Sequence, residues 1–308
     1  MEAPVAGQAK VWTQLAEGKP LDGLGLATVD GRLDLRGLTA PAPAFGREYG
    51  TRVATVRESS ALPVVRGVHW KAIDFSACRL GSVRFYDSHI ENCRFDAGHC
   101  QDWRMWNTTI SNTTFRATDL RRSALGSIDE GRWNVFKKVD FSGADLRQTV
   151  YVSAEMIECT FEDANLTKTD FQGTLFERCV FAGELKDVLF SRHAYGGEAL
   201  QPNEMKHVDF GRARLRHVEF RRLDMKDVKW PEDEQHVVLD DYPRSLDRML
   251  SMLNARSDVP SKQLAAILSL NRKWAGANQK RGILNKLDLY EYADERAVAE
   301  LLALRVGP

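Results

Sequence analysis

The residues that could carry chemistry are spread thinly and regularly. Histidines stand at His69, His89, His99, His193, His207, His217 and His236, and cysteines at Cys78, Cys93, Cys100, Cys159 and Cys179. A series of acids runs through Asp74, Asp119, Asp140, Asp145, Asp170, Asp209 and Asp224, with Asn165 in the same series. Paired carboxylates could do general acid–base work, and histidine with cysteine could hold a metal or activate a thiol. The spacings do not suit those tasks. There is no CxxC or Cys/His metal spacing, no G-x-S-x-G, no Walker loop, no H-E-x-x-H and no Gly-rich dinucleotide fingerprint. The chain is therefore read as a non-enzyme, with no catalytic, cofactor-binding or metal-binding residue.

What the spacing does show is a period of five. From Trp70 to Leu125 every fifth residue is apolar, through Phe75, Phe85, Phe95, Met105 and Phe115 among others. Two residues before each stands a mostly small or apolar residue, such as Cys78, Val83, Thr108, Thr113 and Thr118. Five matches neither the 3.6 of a helix nor the 2.0 of a strand. It requires a chain that turns a corner every five residues, so that four corners close a coil of about twenty, and stacked coils bury one column. Phe75, Phe95 and Phe115 should then lie one above another, as should Phe85, Met105 and Leu125, with Phe161 between Phe141 and Phe181. All five cysteines fall on inward slots and read as small buried thiols. Cys159 and Cys179 should stack in adjacent coils. The inward threonines are expected to bond locally to the backbone.

The repeats IDFSA at Ile73, TDLRR at Thr118, VDFSG at Val139, ADLRQ at Ala144, ANLTK at Ala164, TDFQG at Thr169 and VDFGR at Val208 carry a resemblance to the pentapeptide repeat family. That resemblance implies a mainly β fold, a right-handed quadrilateral β-helix, over residues 68–230. It makes the recurring acids structural, with their side chains near turns. It says little about function, because members share a scaffold and differ in partners; the reading adopted is a non-catalytic module that recognises a protein through its rigid faces and two loops. Pentapeptide repeat proteins that protect DNA gyrase, some with two loops breaking the coil, suggest a topoisomerase as partner and a link to antibiotic resistance. Members often end in a helix that caps the coil and supports a homodimer.

Residues 1–67 are read as a non-repeat N-terminal cap, with a short helix near Val11–Leu15, a hairpin turning at VDGR within Leu24–Leu38, and strands at Val53–Val56 and Leu62–Val65. Residues 231–308 read as a helical C-terminal cap or subdomain. Its helices are expected at Pro243–Arg256, Ser261–Trp274, about 278–287, and Asp294–Leu304. Between these ends the repeat slips twice. Residues 126–135 form one interruption, read as an outward loop with one extra residue, and residues 191–204 form the other.

Lys plus Arg is 43 and Asp plus Glu is 43, so the chain is formally neutral. Bulk attraction to nucleic acid or membrane is not expected. No signal-peptide pattern opens the sequence and no apolar run is long enough to span a bilayer, so a cytoplasmic location is expected. Charge is uneven along the rod: residues 136–190 hold six Lys/Arg against ten Asp/Glu, and residues 204–230 hold eight against five. The candidate partner-binding residues are Asp129, Glu130, Arg132 and Trp133 in the first interruption, His193 and Tyr195 in the second, and Arg212 and Arg214 in the basic last coils. Loops on a rigid scaffold are where recognition residues collect. The competing reading is an adaptor scaffold whose helical C-terminus binds a protein partner.

Overall fold

A computed structural model describes residues 7–41, 62–194, 205–276 and 279–306. The strand expected at Val53–Val56 lies outside the described residues. Through the middle of the chain, the five-residue period sets the sides of each coil, and short parallel strands about twenty residues apart stack to form a quadrilateral β-helix. The first face is an eight-stranded sheet running from Val64–Arg66 to Glu219–Arg221, and the second a six-stranded sheet from His69–Lys71 to Leu175–Glu177. The third face pairs Thr160–Glu162, Val180–Lys186 and Asp209–Arg216, and single bridges extend it through Asp74, Arg94, Thr114 and Asp140. The fourth is a run of bridges from Thr39 through Arg79, His99, Asp119 and Asp145 to Asn165.

The apolar column explains why the coils stack. Phe75, Phe95, Phe115, Phe141, Phe161, Phe181 and Phe210 are buried one above another, their rings stacked at centroid distances between 4.7 and 5.5 Å. That spacing is one strand separation, so each ring meets the next in the offset geometry aromatics favour. Phe85 pairs with Met105 across the first face, twenty residues apart as the period requires. The small inward slots bond to backbone: Thr113 Oγ1 donates to the Ser111 carbonyl at 2.8 Å and Thr118 Oγ1 to that of Phe95 at 2.8 Å.

Each corner needs a tight turn, and the recurring acids help to make it. Oδ1 of Asp119 accepts from the Arg121 amide at 3.2 Å, that of Asp140 from Ser142 at 2.9 Å and that of Asp209 from Gly211 at 2.7 Å. The second residue after each inward apolar centre is often left-handed, as at Ala77 (φ 55°) and Ala117 (φ 52°). Alanine seldom adopts that conformation. The ladder holds it there, since the Ala77 amide donates to the Asp96 carbonyl at 2.8 Å.

The ends differ from the sequence reading in two places. Helix α1 (Gln8–Ala16) and the hairpin Thr28–Val29/Arg32–Asp34 form as expected. Residues 32–41, however, already follow the coil: Leu33 pairs with Ile73 and Asp34 with Asp74 in parallel, and Leu35 and Leu38 are fully buried. LDLRG is thus a repeat within the segment read as non-repeat. At the other end, α2 (Tyr242–Asn254), α3 (Val259–Ala275) and α5 (Glu295–Leu302) match three expected helices, capped by Asp241, Asp258 and Asp294. The helix expected at 278–287 is instead a strand, Gly282–Asn285, followed by the single turn α4 (Lys286–Leu289). The strand pairs antiparallel with His236–Leu239. His236 in this pair is buried.

Candidate interaction surface

The first interruption is a built structure. Val135 pairs with Thr109, twenty-six positions back, where the coils before it pair at twenty, as His89 does with Thr109. Six residues are therefore inserted, not one. They form a hairpin: Ile128–Asp129 pairs antiparallel with Arg132–Trp133 about a Glu130-Gly131 turn with φ of 50° and 75°. Two positive φ values are what a two-residue hairpin turn demands.

An insertion breaks the coil's ladder and would strand buried polar groups. Asn134 fills the gap. It is fully buried, its Nδ2 donates to the carbonyls of Met105 and Leu125 at 2.9 Å each, and its Oδ1 accepts from the Thr108 amide at 2.8 Å. Ser127 adds a bond to the Met105 carbonyl at 2.9 Å. Gly126 is also required, because a Cβ there would lie 2.5 Å from the Val152 nitrogen. Asn134 and Gly126 were not singled out from sequence, although a carboxamide on an inward slot is the signal that could have marked the site.

The hairpin is tied back along the rod. Arg132 Nη1 lies 3.1 Å from Asp87 Oδ1, and Trp133 Nε1 donates to Glu155 Oε2 at 3.3 Å. The Asn107 amide, with Arg132 and Arg66, holds the Asp87 carboxyl below its usual range. Trp133 and Asp129 are half-buried, Glu130 and Arg132 are exposed, and Ile128 presents an exposed apolar side chain. In the coils just before the hairpin, Tyr86 and Trp106 stack on the outer side of the first face, 4.6 Å apart and 5° from parallel, with the Arg66 guanidinium 4.2 Å from the Tyr86 centroid. Two outward aromatics one coil apart were legible in the sequence and were not used.

The other candidates are placed apart from this surface. At the second interruption Glu219 pairs with Leu189 thirty positions back, so ten residues are inserted beyond the period. His193 is half-buried at the start of that segment, its amide 3.4 Å from Ser191 Oγ, and Tyr195 lies outside the described residues. Arg212 pairs with Glu162 at 2.5 Å, and Arg214 is exposed opposite Glu184 in the third-face ladder. The remaining arginines of the basic stretch hold the C-terminal segment. Arg216 contacts Asp288 at 2.7 Å and Glu291 at 2.9 Å, the Arg222 amide donates to the Trp274 carbonyl at 3.0 Å, and Arg221 stacks on the Trp274 ring at 4.4 Å. His217, Asp288 and Glu291 converge closely enough to suggest a metal site, but the Arg216 guanidinium already occupies both carboxylates.

Several acids of 136–190 are paired with cations at different positions around the coil. Asp140 pairs with Arg116 at 2.6 Å, Asp145 with Arg147 at 2.7 Å, and Glu158 with Arg178 at 2.9 Å. The cysteines are all buried and unbridged. Burial pushes the Cys93 thiol up to about 12 and holds that of Cys100, 3.6 Å from Cys78, well above its usual value, so neither supplies a thiolate.

Residues 152–183 match a family model described as Pentapeptide repeats (8 copies). No curated protein matches the sequence. Among solved structures, the pentapeptide repeat protein Rfr23 from the cyanobacterium Cyanothece 51142 is 15% identical, covering 39% of this chain and 88% of its own, with a TM-score of 0.31. QnrB1, a plasmid-mediated fluoroquinolone resistance protein, is 15% identical, covering 54% of this chain and 74% of its own, at 0.30. HetL, involved in heterocyst differentiation regulation in Nostoc sp. strain PCC 7120, is 15% identical, covering 55% and 85%, at 0.24. Likenesses at these values add nothing to the coil geometry above.

Proposed function

We propose that this chain of pentapeptide repeats is a non-catalytic protein-binding module that meets its partner through the 128–133 hairpin and the adjoining outer side of the first face. The observation that carries the reading is Asn134. A fully buried carboxamide with three backbone bonds keeps the core intact beneath an insertion that adds nothing to the core. Above it stand Trp133, Ile128 and Arg132, beside Tyr86, Trp106 and Arg66. Tryptophan, tyrosine and arginine are the residue types in which interface energy concentrates.

The narrower reading, that the partner is DNA gyrase or another topoisomerase, rests on the family resemblance. Recognition would then run through the hairpin rather than through mimicry of DNA, because Asp140, Asp145, Glu158, Glu162 and Glu177 are already paired with cations. The test removes the six residues Ile128–Trp133, leaving Ser127 and Asn134 to form a plain corner. The variant should melt close to the parent, and capture of the partner from the native host's extract should fall at least tenfold. Any protection of DNA gyrase in a supercoiling assay with a quinolone should fall with it. Unchanged capture with unchanged melting would move the contact to the C-terminal segment, which is the adaptor reading.

A further inference from the structure

A cavity of about 280 Å³ lies where the last coil meets the C-terminal segment, at the far end of the rod from the α1 cap. Its apolar wall is made by Val218 of the coil, Ile267, Leu270 and Trp274 on one side of α3, Leu289 of α4, and Tyr292. The cavity follows from how α3 is held. Its buried side, Leu264, Ala265 and Leu268, belongs to the C-terminal core, and its last turn is fastened to the coil by the Arg222–Trp274 backbone bond and the Arg221–Trp274 stack. Neither contact fills the space in front of Ile267 and Leu270. Leu270 stands 55% exposed at the mouth, a large apolar side chain with no burial partner there.

The polar groups around this wall define what would fit. Arg221 is bound by Glu219 at 2.5 Å, and His217 lies 3.0 Å from Glu291. Asp288 takes Arg216 at 2.7 Å and the His217 amide at 2.9 Å. His236 is bound to Asp233 at 2.8 Å. Arg221, Glu219 and Asp288 are ion-paired within the protein, and both imidazoles are hydrogen-bonded to carboxylates. Asn285 is committed to the Leu215 carbonyl and the Leu287 amide. Asn271 is different: among the described residues its side-chain amide has no hydrogen-bond partner, and it lines the same space.

We propose that this cavity is a binding site for a neutral, largely apolar small molecule with one hydrogen-bonding group, seated between the last coil and α3 with its polar group on Asn271. A cavity of about 150 Å³ with aliphatic walls holds one benzene. About 280 Å³ therefore takes a fused bicyclic ring with one substituent. The site is separate from the hairpin surface and does not depend on it.

The probe is β-naphthol, added to the full chain and followed by methyl NMR with melting measured in parallel. Saturable shifts are expected on the methyls of Val218, Ile267 and Leu270. Ile267→Trp should fill the cavity, leave melting unchanged or higher, and weaken binding at least tenfold. Asn271→Leu should weaken β-naphthol several-fold and leave naphthalene unaffected, which a merely structural asparagine would not do. No saturable binding up to the solubility limit would overturn the site, as would binding that Ile267→Trp leaves intact. The anion β-naphthoate binding more tightly than β-naphthol would overturn the neutral-ligand assignment.

Discussion

The two ends of the coil are closed in different ways. At the N-terminal end α1 continues the rod's own core. Val11, Trp12 and Leu15 join the same buried cluster as the coils, Trp12 meets Trp70 edge-on at 6.4 Å, and Trp70 Nε1 donates to the Leu15 carbonyl at 3.1 Å. At the C-terminal end a second core, built on Leu239, Leu246, Met249, Leu268, Leu284 and Leu301, stands beside the first. Val238 and Ile283 add apolar contact, but the seat is largely polar. The cross-strand pair His236 and Asn285 grips the Leu215 peptide from both sides: His236 Nε2 accepts from its amide at 3.1 Å, and Asn285 Nδ2 donates to its carbonyl. An exposed sheet edge must be covered at both ends. One end is covered by extending the core and the other by docking a second body. The first should unfold with the rod, and the second should be able to unfold by itself.

The largest effects test that difference directly. Trp12→Ala should cost about 3–5 kcal/mol, the usual range for an aromatic lost from a core, and should shift the β signal of the whole rod in a urea titration. Leu246→Ala should cost about 2–5 kcal/mol by the same mechanism, but in the helical signal only. If Leu246→Ala shifts the β transition equally, the two bodies unfold as one unit and the comparison fails.

A smaller change sharpens the seam. Asn285→Ala leaves the Leu215 carbonyl and the Leu287 amide without partners, which should cost about 1–3 kcal/mol. Both circular dichroism signals should survive, while amide exchange quickens in 213–217 and 282–287. Exchange that quickens evenly through the rod would mean that Asn285 supports the coil rather than the docking.

Much of this was legible because the period is strict wherever the core is continuous. The phenylalanine register and the Thr28–Asp34 hairpin follow from residue type and spacing, and the family resemblance implied the acids at corners. The misreadings come where one local pattern admits two structures. Leu33–Gly37 alternates like a hairpin strand and also spells a repeat, and only pairing with Ile73–Asp74 decides that it does both. Residues 278–287 carry Ile283, Leu284 and Leu287 at a spacing a helix would accept, yet Gly282 must lie against the Tyr242 ring, where a Cβ would come within 2.5 Å. The hairpin was undercounted because Phe136 follows Leu125 at nearly two repeats, so five of its residues looked like coil. At the candidate surface the charged and aromatic hairpin residues were visible, whereas Asn134 and Gly126 were not. Their role depends on partners in neighbouring coils, Met105, Thr108 and Leu125 for Asn134 and Val152 for Gly126.

The smallest predicted effect separates two corners of the rod itself. Asp119 and Asp170 fill the same turn, each accepting from the amide two residues on, at 3.2 and 3.1 Å. Asp119 is gripped by Arg121 through two bonds, which hold its carboxyl below the ordinary 3.8. Asp170 has Gln172 in that place and is more deeply buried, and desolvation raises its carboxyl above the same value. The signs are opposite. A folded pKa below the unfolded one contributes stability above the unfolded value and loses it as pH falls through the folded one. A raised pKa contributes stability below the ordinary value and loses it as pH rises through the folded one. Asn165 shows that a carboxamide can make this turn, accepting from the Thr167 amide at 3.2 Å. Asp119→Asn should therefore lower Tm at pH 7, with the deficit shrinking toward pH 3. Asp170→Asn should leave Tm at pH 7 unchanged or raise it, with the difference vanishing as the solution is acidified below 3.8. Equal losses from both substitutions at pH 7 would mean that the negative charge itself, rather than its arginine partner, is what the corner uses.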